Sequence, residues 1–286
     1  MPRSGVLLAA MGSAGVDRLD AAERTLLWVP WLGGLVFGLG PLLAPAAVAS
    51  LTGYSNDDEY IARLAGAATL GYAVALWPAL RGEWSRGVQS IVAAVLIFNL
   101  TSVMACGEEL LTGRSRPLVL LILITSIAIV AITGWLLARR RLPWPNASDI
   151  PTWVTGVIVM AVLAAAFFGI APQFAGRFAS VFGYKGTDVF LYRMFGAATL
   201  GYAAMGLTEL RSRRWEDLRL PGVMGTAYNG LAFLASVWEL VQGRPTLLVY
   251  VVGAASLVFT IAFIVVIREG DRVRATAPPL AGAPAR

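Results

Sequence analysis

The chain has 286 residues, of which 57% are hydrophobic and only 14% charged, with a formal net charge of +6. Soluble domains carry about 25% charged residues, so this composition predicts an integral membrane protein with no room for a sizeable soluble domain. There is no histidine and a single cysteine, Cys106. An intrachain disulfide, a thiolate cluster and histidine ligation of haem or metal are therefore excluded, and we expect no cofactor and no metal.

Eight apolar segments are long enough to cross a membrane, which takes about 20 helical residues for about 30 Å of hydrocarbon. In chain order they are 27–49, 62–80, 88–106, 117–137, 153–171, 189–207, 223–240 and 246–267. The arginines lie in short caps between these segments rather than on one basic face, so the positive charge does not indicate nucleic acid. We predict an all-α integral membrane fold with eight transmembrane helices.

The octapeptide GAATLGYA occurs twice, at 66–73 and at 196–203, with an offset of 130 residues. The same offset aligns several pairs of polar residues, among them Asp58 with Asp188, Arg63 with Arg193, Asn99 with Asn229, and Glu109 with Glu239. Chance does not maintain such a register, so the chain reads as two copies of one unit. Because four helices return the chain to its starting side, the two four-helix repeats are predicted to be parallel.

The loops divide the chain into five parts. They are a cytoplasmic leader (1–26), a first four-helix repeat (27–138), a cytoplasmic crossover linker (139–151), a second four-helix repeat (152–268) and a disordered cytoplasmic tail (269–286). Most of the 23 basic residues fall on the side that contains the leader, the linker and the tail. The positive-inside rule therefore places both termini in the cytoplasm, and we expect a multi-pass protein of a bacterial inner membrane.

The octapeptide contains small residues at the spacing that lets helices approach closely. These are Gly66, Ala67 and Gly71 in the first copy, and Gly196, Ala197 and Gly201 in the second. We predict that they pack the second helix of each copy tightly against its neighbours. The alternative is that they form a moving or substrate-lined seam.

Each copy also carries an arginine and a glutamate at similar predicted depth on the non-cytoplasmic side. An ionised group deep in a bilayer costs about 2.5 to 3.5 kcal/mol, so pairing is expected. We predict an ion pair within each copy, Arg63 with Glu109 and Arg193 with Glu239, that fixes the second helix against the third. Alternatively, these residues bind an anionic headgroup or solute, since arginine suits phosphate and carboxylate.

Asn99 and Asn229 lie ten residues before the two glutamates, about 15 Å deeper at 1.5 Å per residue. This places them near the midplane, where an amide needs a partner. They are predicted to face each other near the pseudo-axis or to bond the backbone of their own copy. A substrate site is the alternative, because transporters place substrate at this depth.

The four-helix unit resembles the small DoxX-like bacterial membrane proteins. The shared pattern is an apolar first helix, a Gly-Tyr turn at 53–54, an arginine at position 63 before a Gly/Ala-rich helix, and a late glycine loop at 113. It covers residues 27–138 and recurs over 153–267. DoxX looks like a partner of a redox complex, but a chain without histidine and with one cysteine is not expected to carry redox chemistry itself.

The sequence contains no nucleotide loop, zinc spacing or serine-histidine arrangement, so we expect no enzyme. The first interpretation is a non-catalytic accessory or scaffolding subunit that packs with membrane partners or with itself. The alternative is a small-solute or lipid transporter or binding protein, with a site between the repeats that is lined by Arg63, Arg193, Asn99 and Asn229. Expected partners are the lipid bilayer, membrane proteins, and an anionic lipid or solute.

Overall fold

The computed structural model describes residues 17–53, 58–114, 116–145, 148–174, 178, 180–183 and 188–276. Predictions for residues 1–16 of the leader and 277–286 of the tail lie outside these ranges. Within them the chain is all-α, as predicted, with nine α-helices. They are α1 (Ala21–Leu43), α2 (Pro45–Thr52), α3 (Glu59–Leu80), α4 (Arg86–Leu111), α5 (Pro117–Arg139), α6 (Thr152–Ile170), α7 (Val189–Ser212), α8 (Trp215–Val241) and α9 (Leu247–Thr276).

Two short elements accompany the helices. A 3₁₀ turn, Ala171–Phe174, extends α6. Two strands of two residues, β1 (Asp17–Arg18) and β2 (Glu83–Trp84), pair antiparallel and join the start of the described chain to the α3–α4 loop. Trp84 of β2 is fully buried, and its indole Nε1 donates a hydrogen bond to the carbonyl oxygen of Arg140 at 2.8 Å.

Five helices are long and apolar enough to cross a membrane, namely α1, α4, α5, α6 with its 3₁₀ extension, and α9. The other three long helices, α3, α7 and α8, are helical where the sequence predicts but are less apolar. Glycine and alanine replace large apolar side chains along α3 and α7, and both helices are buried over most of their length. Such helices face protein rather than lipid, which explains their lower hydropathy.

The long helices form a central group and a peripheral group. At the centre lie α3, α4, α7 and α8, and each carries one peripheral helix: α1 packs on α3, α5 on α4, α6 on α7, and α9 on α8. The central contacts cross between the first half (17–145) and the second half (148–276). Helix α4 packs mainly on α7, and α3 mainly on α8, far more extensively than α3 packs on α4 or α7 on α8.

Several helices extend beyond the sequence-based segments, and the first segment, 27–49, is divided at Ala44 into α1 and α2. Helix α8, for example, begins at Trp215 rather than at residue 223. Two of these differences have a clear cause. Helix α1 begins at Ala21 rather than at residue 27, because Asp20 and Glu23 form a capping box with reciprocal hydrogen bonds of 2.8 and 2.9 Å. Helix α9 extends to Thr276, so residues 269–276 are helical rather than disordered. Ion pairing of Asp271 with Arg219 at 3.3 Å docks this extension on α8.

The linker after α5 is anchored to one end of the bundle. The Arg140 guanidinium donates two hydrogen bonds of 2.8 Å to the buried Glu23 carboxylate. This interaction raises the pKa of Arg140 above its ordinary value. The backbone N–H of Leu142 donates to Oε1 of Gln89 at 2.7 Å. The crossover between the halves is thus fixed against α1 and α4 rather than hanging free.

Candidate functional site

The octapeptides of the two halves meet at the centre of the bundle. The Tyr72 hydroxyl donates a hydrogen bond to the carbonyl oxygen of Ala198 at 2.6 Å, and the Tyr202 hydroxyl donates to that of Ala68 at 2.8 Å. The two rings lie with centroids 5.0 Å apart. Because both residues hold the same place in GAATLGYA, a single motif supplies both the donor and the acceptor of each crossing hydrogen bond.

The glycines of the motif make this contact possible. A Cβ at Gly71 would lie 2.1 Å from the Tyr202 hydroxyl oxygen, and a Cβ at Gly201 would lie 2.1 Å from that of Tyr72. Real Cβ atoms do not approach so closely, so only glycine fits at either position without a shift of the tyrosine.

The other small residues of the motif face the peripheral helices or the interior. A Cβ at Gly66 would lie 2.6 Å from the carbonyl oxygen of Gly38 on α1, and one at Gly196 would lie 2.6 Å from that of Gly169 on α6. Ala67 and Ala197 are completely buried. This geometry is that of close helix packing, in which small residues let backbones approach.

The ion pairs connect the halves, and the prediction of Arg63 with Glu109 and Arg193 with Glu239 is wrong. Arg63 Nη1 lies 3.4 Å from Oε1 of Glu239. Arg193 Nη2 lies 2.6 Å from Oε1 of Glu108. Glu109 instead lies 3.8 Å from Arg114. The reason is the central packing: α3 contacts α8 and α7 contacts α4, so the glutamates of one half face the arginines of the other.

The two crossing pairs are not alike. Arg63 also contacts Glu59 at 3.4 Å, and its guanidinium lies 5.8 Å from the ring centroid of Trp238. The position equivalent to Trp238 in the first half is Glu108, which is the partner of Arg193. Since both arginines already contact carboxylates, they offer little unmatched charge to an anionic headgroup.

The two asparagines do not meet. Asn99 Nδ2 donates to the carbonyl oxygen of Val95 at 2.8 Å, and Asn229 Nδ2 donates to that of Gly225 at 2.8 Å. Each therefore bonds its own helix, four residues back. Of the two arrangements predicted, the structure shows the bond within each copy. Asn99 and Asn229 lie in the walls of two different cavities.

The first-half cavity has a volume of about 310 Å³ and lies between α1, α2, α3, α4, α5 and the start of α7. Its walls are mainly apolar. The polar groups within it include Thr69, Tyr72, Asn99 and Ser126, while Asp58 and Glu59 lie at its outer end.

The second-half cavity has a volume of about 80 Å³ and lies between α6, α7, α8 and α9. Its polar groups include the residues 130 positions later, Thr199, Tyr202, Asn229 and Ser256. It is smaller because Phe195 and Phe259 stand where the first half has Ala65 and Ile129. The two cavities thus occupy equivalent places in the two halves but differ in size and in lining.

Glu209 on α7 is a feature that the sequence-based reasoning missed. It lines the second-half cavity, is 2% exposed, and has alanine, Ala79, at the equivalent position of the first half. An ionisable residue near the end of a long helix, without a counterpart in the other copy, was a signal available in the sequence.

Asp58 and Asp188 form a further crossing contact. The backbone N–H of Asp188 donates to Oδ2 of Asp58 at 2.9 Å, and Asp188 ion-pairs with Arg116 at 3.4 Å. Within the described ranges, no group of three or more acidic, histidine or cysteine side chains is arranged to hold a metal ion.

Comparison of the chain with protein-family models, with curated proteins and with solved structures finds no match, so its interpretation depends on the geometry described above.

Proposed function

We propose that the protein is a multi-pass inner-membrane protein in which all eight long helices cross the bilayer, as two parallel copies of a four-helix unit. The crossing contacts support this proposal, because Tyr72 and Tyr202 exchange equivalent hydrogen bonds. Asp58 and Asp188, again 130 residues apart, also contact each other. The short loops at the Arg86 and Arg140 end are rich in arginine, which supports a cytoplasmic position for that end.

Within this architecture, we propose that the protein binds a small, mainly apolar molecule, a lipid chain or a lipophilic solute, in the first-half cavity. The observation that carries the proposal is the cavity itself. Its volume of about 310 Å³ reaches the range of small-molecule sites, about 300 to 1,000 Å³. An apolar wall with a few polar groups is also the composition typical of such sites.

Exposed residues of the cavity wall, on the outer surface of α1 and α5, support entry of the ligand from the bilayer. Val36 of α1 and Leu121 of α5 belong to the cavity wall, yet they are 65% and 54% exposed. In a membrane, side chains exposed on the outer surface of α1 and α5 contact lipid. A ligand would therefore reach the cavity sideways, between α1 and α5, and would place its polar part toward Asn99, Ser102 or Ser126.

The test uses the difference between the halves at one position of the cavity wall, where the first half has Ala65 and the second has Phe195. Ala65→Phe introduces the residue that the second half has at this position and fills the cavity, whereas Ala131→Phe adds the same ring on the exposed surface of α5. Native mass spectrometry of protein extracted gently from its membrane is expected to show a bound small molecule or lipid in the wild type and in Ala131→Phe. The adduct should be absent in Ala65→Phe. Retention of the adduct by Ala65→Phe, or a wild type that carries none, contradicts the proposal.

The second candidate function is an accessory or scaffolding subunit. It is favoured by the placement of Arg63, Arg193, Asn99 and Asn229, which do not converge on a cavity between the halves and each contact a group within the bundle. The same mass spectra distinguish the two functions, since a scaffold is released as a stable complex with other subunits.

A further inference from the structure

The second-half cavity contains a buried carboxyl group without a partner. Glu209 lies near the end of α7 and lines the cavity wall. Both of its carboxyl oxygens are buried and lack a hydrogen bond within the part of the chain that the structure describes. The Ser90 side chain on α4 lies beside the carboxyl, but its hydroxyl is likewise without a hydrogen bond of acceptable geometry.

Two of the cations at this end of the bundle, Arg86 and Arg214, are paired with other carboxylates. Arg86 Nε donates to Oδ2 of Asp217 at 2.8 Å, and Arg86 also pairs with Glu216. Arg214 Nε lies 2.9 Å from Asp149. The Asp217 carboxylate also accepts a hydrogen bond from the Ser212 hydroxyl. No arginine of the described residues forms an ion pair with Glu209, which lies close enough to Asp217 to sense its negative charge.

An unpaired carboxylate in an apolar interior is costly, because burial removes its hydration without replacing it. Ionisable groups that are perturbed by burial and lie in a cavity are concentrated at functional sites. The remaining walls of the cavity indicate which ligand fits. Six aromatic rings surround it: Phe168, Phe195, Tyr202, Tyr228, Phe259 and Phe263.

Aromatic faces attract cations, and rings that surround a quaternary ammonium are an established way to bind one. A carboxylate at one end of such a cage supplies the opposite charge. The volume of about 80 Å³ suits a compact ion rather than a lipid chain. We propose that the second-half cavity binds a small organic ammonium ion, with Glu209 as its counter-ion and the aromatic rings as its walls.

This proposal is independent of ligand binding in the first-half cavity, where Ala79 occupies the position of Glu209. It therefore predicts that the two halves differ in ligand class as well as in cavity size.

The test is isothermal titration of the purified protein in lipid nanodiscs at constant ionic strength. The probes are tetramethylammonium and tert-butanol, which is uncharged and of similar size. We expect saturable binding of tetramethylammonium and no binding of tert-butanol. In Glu209→Gln the affinity for tetramethylammonium should fall about tenfold or more. The control variant is Glu239→Gln, which neutralises a buried glutamate near the C-terminal end of α8. It should bind tetramethylammonium with the affinity of the wild type.

Folding of the variants is checked separately by thermal unfolding. We expect Glu209→Gln to melt at or above the wild-type temperature, because the change removes an unpaired acid without changing its shape. Failure of the wild type to bind tetramethylammonium at millimolar concentrations overturns the proposal. So does a Glu209→Gln variant that binds with unchanged affinity, or equal binding of tert-butanol. Ala65→Phe is expected to leave this binding intact, which separates the result from the test of the first-half cavity.

Discussion

The two halves share one octapeptide at their central contact and differ in the residues that line their cavities. At the contact, both contribute GAATLGYA, with Tyr72 and Tyr202 in reciprocal hydrogen bonds. In the cavities, Ala65 is replaced by Phe195, and Ala79 by Glu209. At this contact Gly71 must fit Tyr202, and Gly201 must fit Tyr72, so a change on one side constrains the residue on the other side. A cavity wall has no such constraint, and the two sites are free to differ.

The largest expected change in stability comes from a variant that tests why the two cavities differ in size. Phe195→Ala gives the second half the alanine of the first half and empties the space of a ring that is 1% exposed. We expect a loss of about 3 to 5 kcal/mol of unfolding free energy, measured by titration with sodium dodecyl sulfate in mixed micelles. A cost below about 1 kcal/mol would mean that the helices collapse around the site and that cavity size is not set by this residue.

The next effect tests the contact itself. Gly201→Ala and Gly71→Ala each place a methyl group against a tyrosine hydroxyl, and overpacking of this kind costs about 1 to 3 kcal/mol. Gly201 should be the more sensitive, because its Cβ would also lie 2.7 Å from the carbonyl oxygen of Ala94, whereas the corresponding distance from Gly71 to Met224 is 3.3 Å.

Removal of the tyrosine hydroxyl that each new methyl group would contact provides the control for these glycine variants. Adding Tyr202→Phe should largely rescue Gly71→Ala, at the cost of one hydrogen bond of about 1 kcal/mol. Adding Tyr72→Phe should rescue Gly201→Ala only in part, since the carbonyl of Ala94 remains in place. Gly134→Ala, with no atom near its Cβ, is expected to leave stability unchanged or slightly higher. Equal sensitivity of Gly134 and Gly201 would contradict the proposed role of the motif.

The next prediction, of a smaller effect, compares the two ion pairs that connect the halves, Arg63 with Glu239 and Arg193 with Glu108. Glu239→Gln removes a carboxylate that is 5% exposed and should cost about 1.5 kcal/mol, since Arg63 retains Glu59. Glu108→Gln removes one that is 53% exposed and should cost less than about 1 kcal/mol, because solvent and salt screen exposed pairs. Unfolding at low and high salt checks this comparison, and the reverse order would show that the exposed pair is the stronger one.

The smallest effect concerns the asparagines. Asn99→Ala and Asn229→Ala should each cost less than about 1 kcal/mol, because each amide bonds only a carbonyl of its own helix. The double variant should show the sum of the two effects. A coupling energy above about 0.5 kcal/mol would indicate a direct interaction that the structure does not contain.

The helices of this fold were predictable because long apolar runs determine them. The start of α1 was also readable: Asp20 and Glu23 have the spacing of a capping box, although the leader was assigned up to residue 26. The end of α9 was not, because its polar turns depend on docking to Arg219 and Trp215 rather than on local apolar periodicity.

The sequence could not show that α3 packs on α8, and α4 on α7, rather than each on a helix of its own half. Helical periodicity shows that Gly71 and Arg63 belong to particular faces of α3, but not whether α4 or α8 covers those faces. Equivalent glutamates occur in both copies, so either pairing satisfies the charges. Only the order of helices around the bundle decides between them. Glu109 was therefore assigned the role that belongs to Glu239.

The packing of α3 on α8 and of α4 on α7 also has a consequence for biosynthesis. When synthesis has reached the linker, α3 lacks α8 and α4 lacks α7, so the first half has only the smaller central contact between α3 and α4. We expect its assembly to be completed only after the second half has been inserted. A fragment that ends at the linker lacks the second copy of GAATLGYA, and because it carries the first copy, we expect it to pair with a second copy of itself.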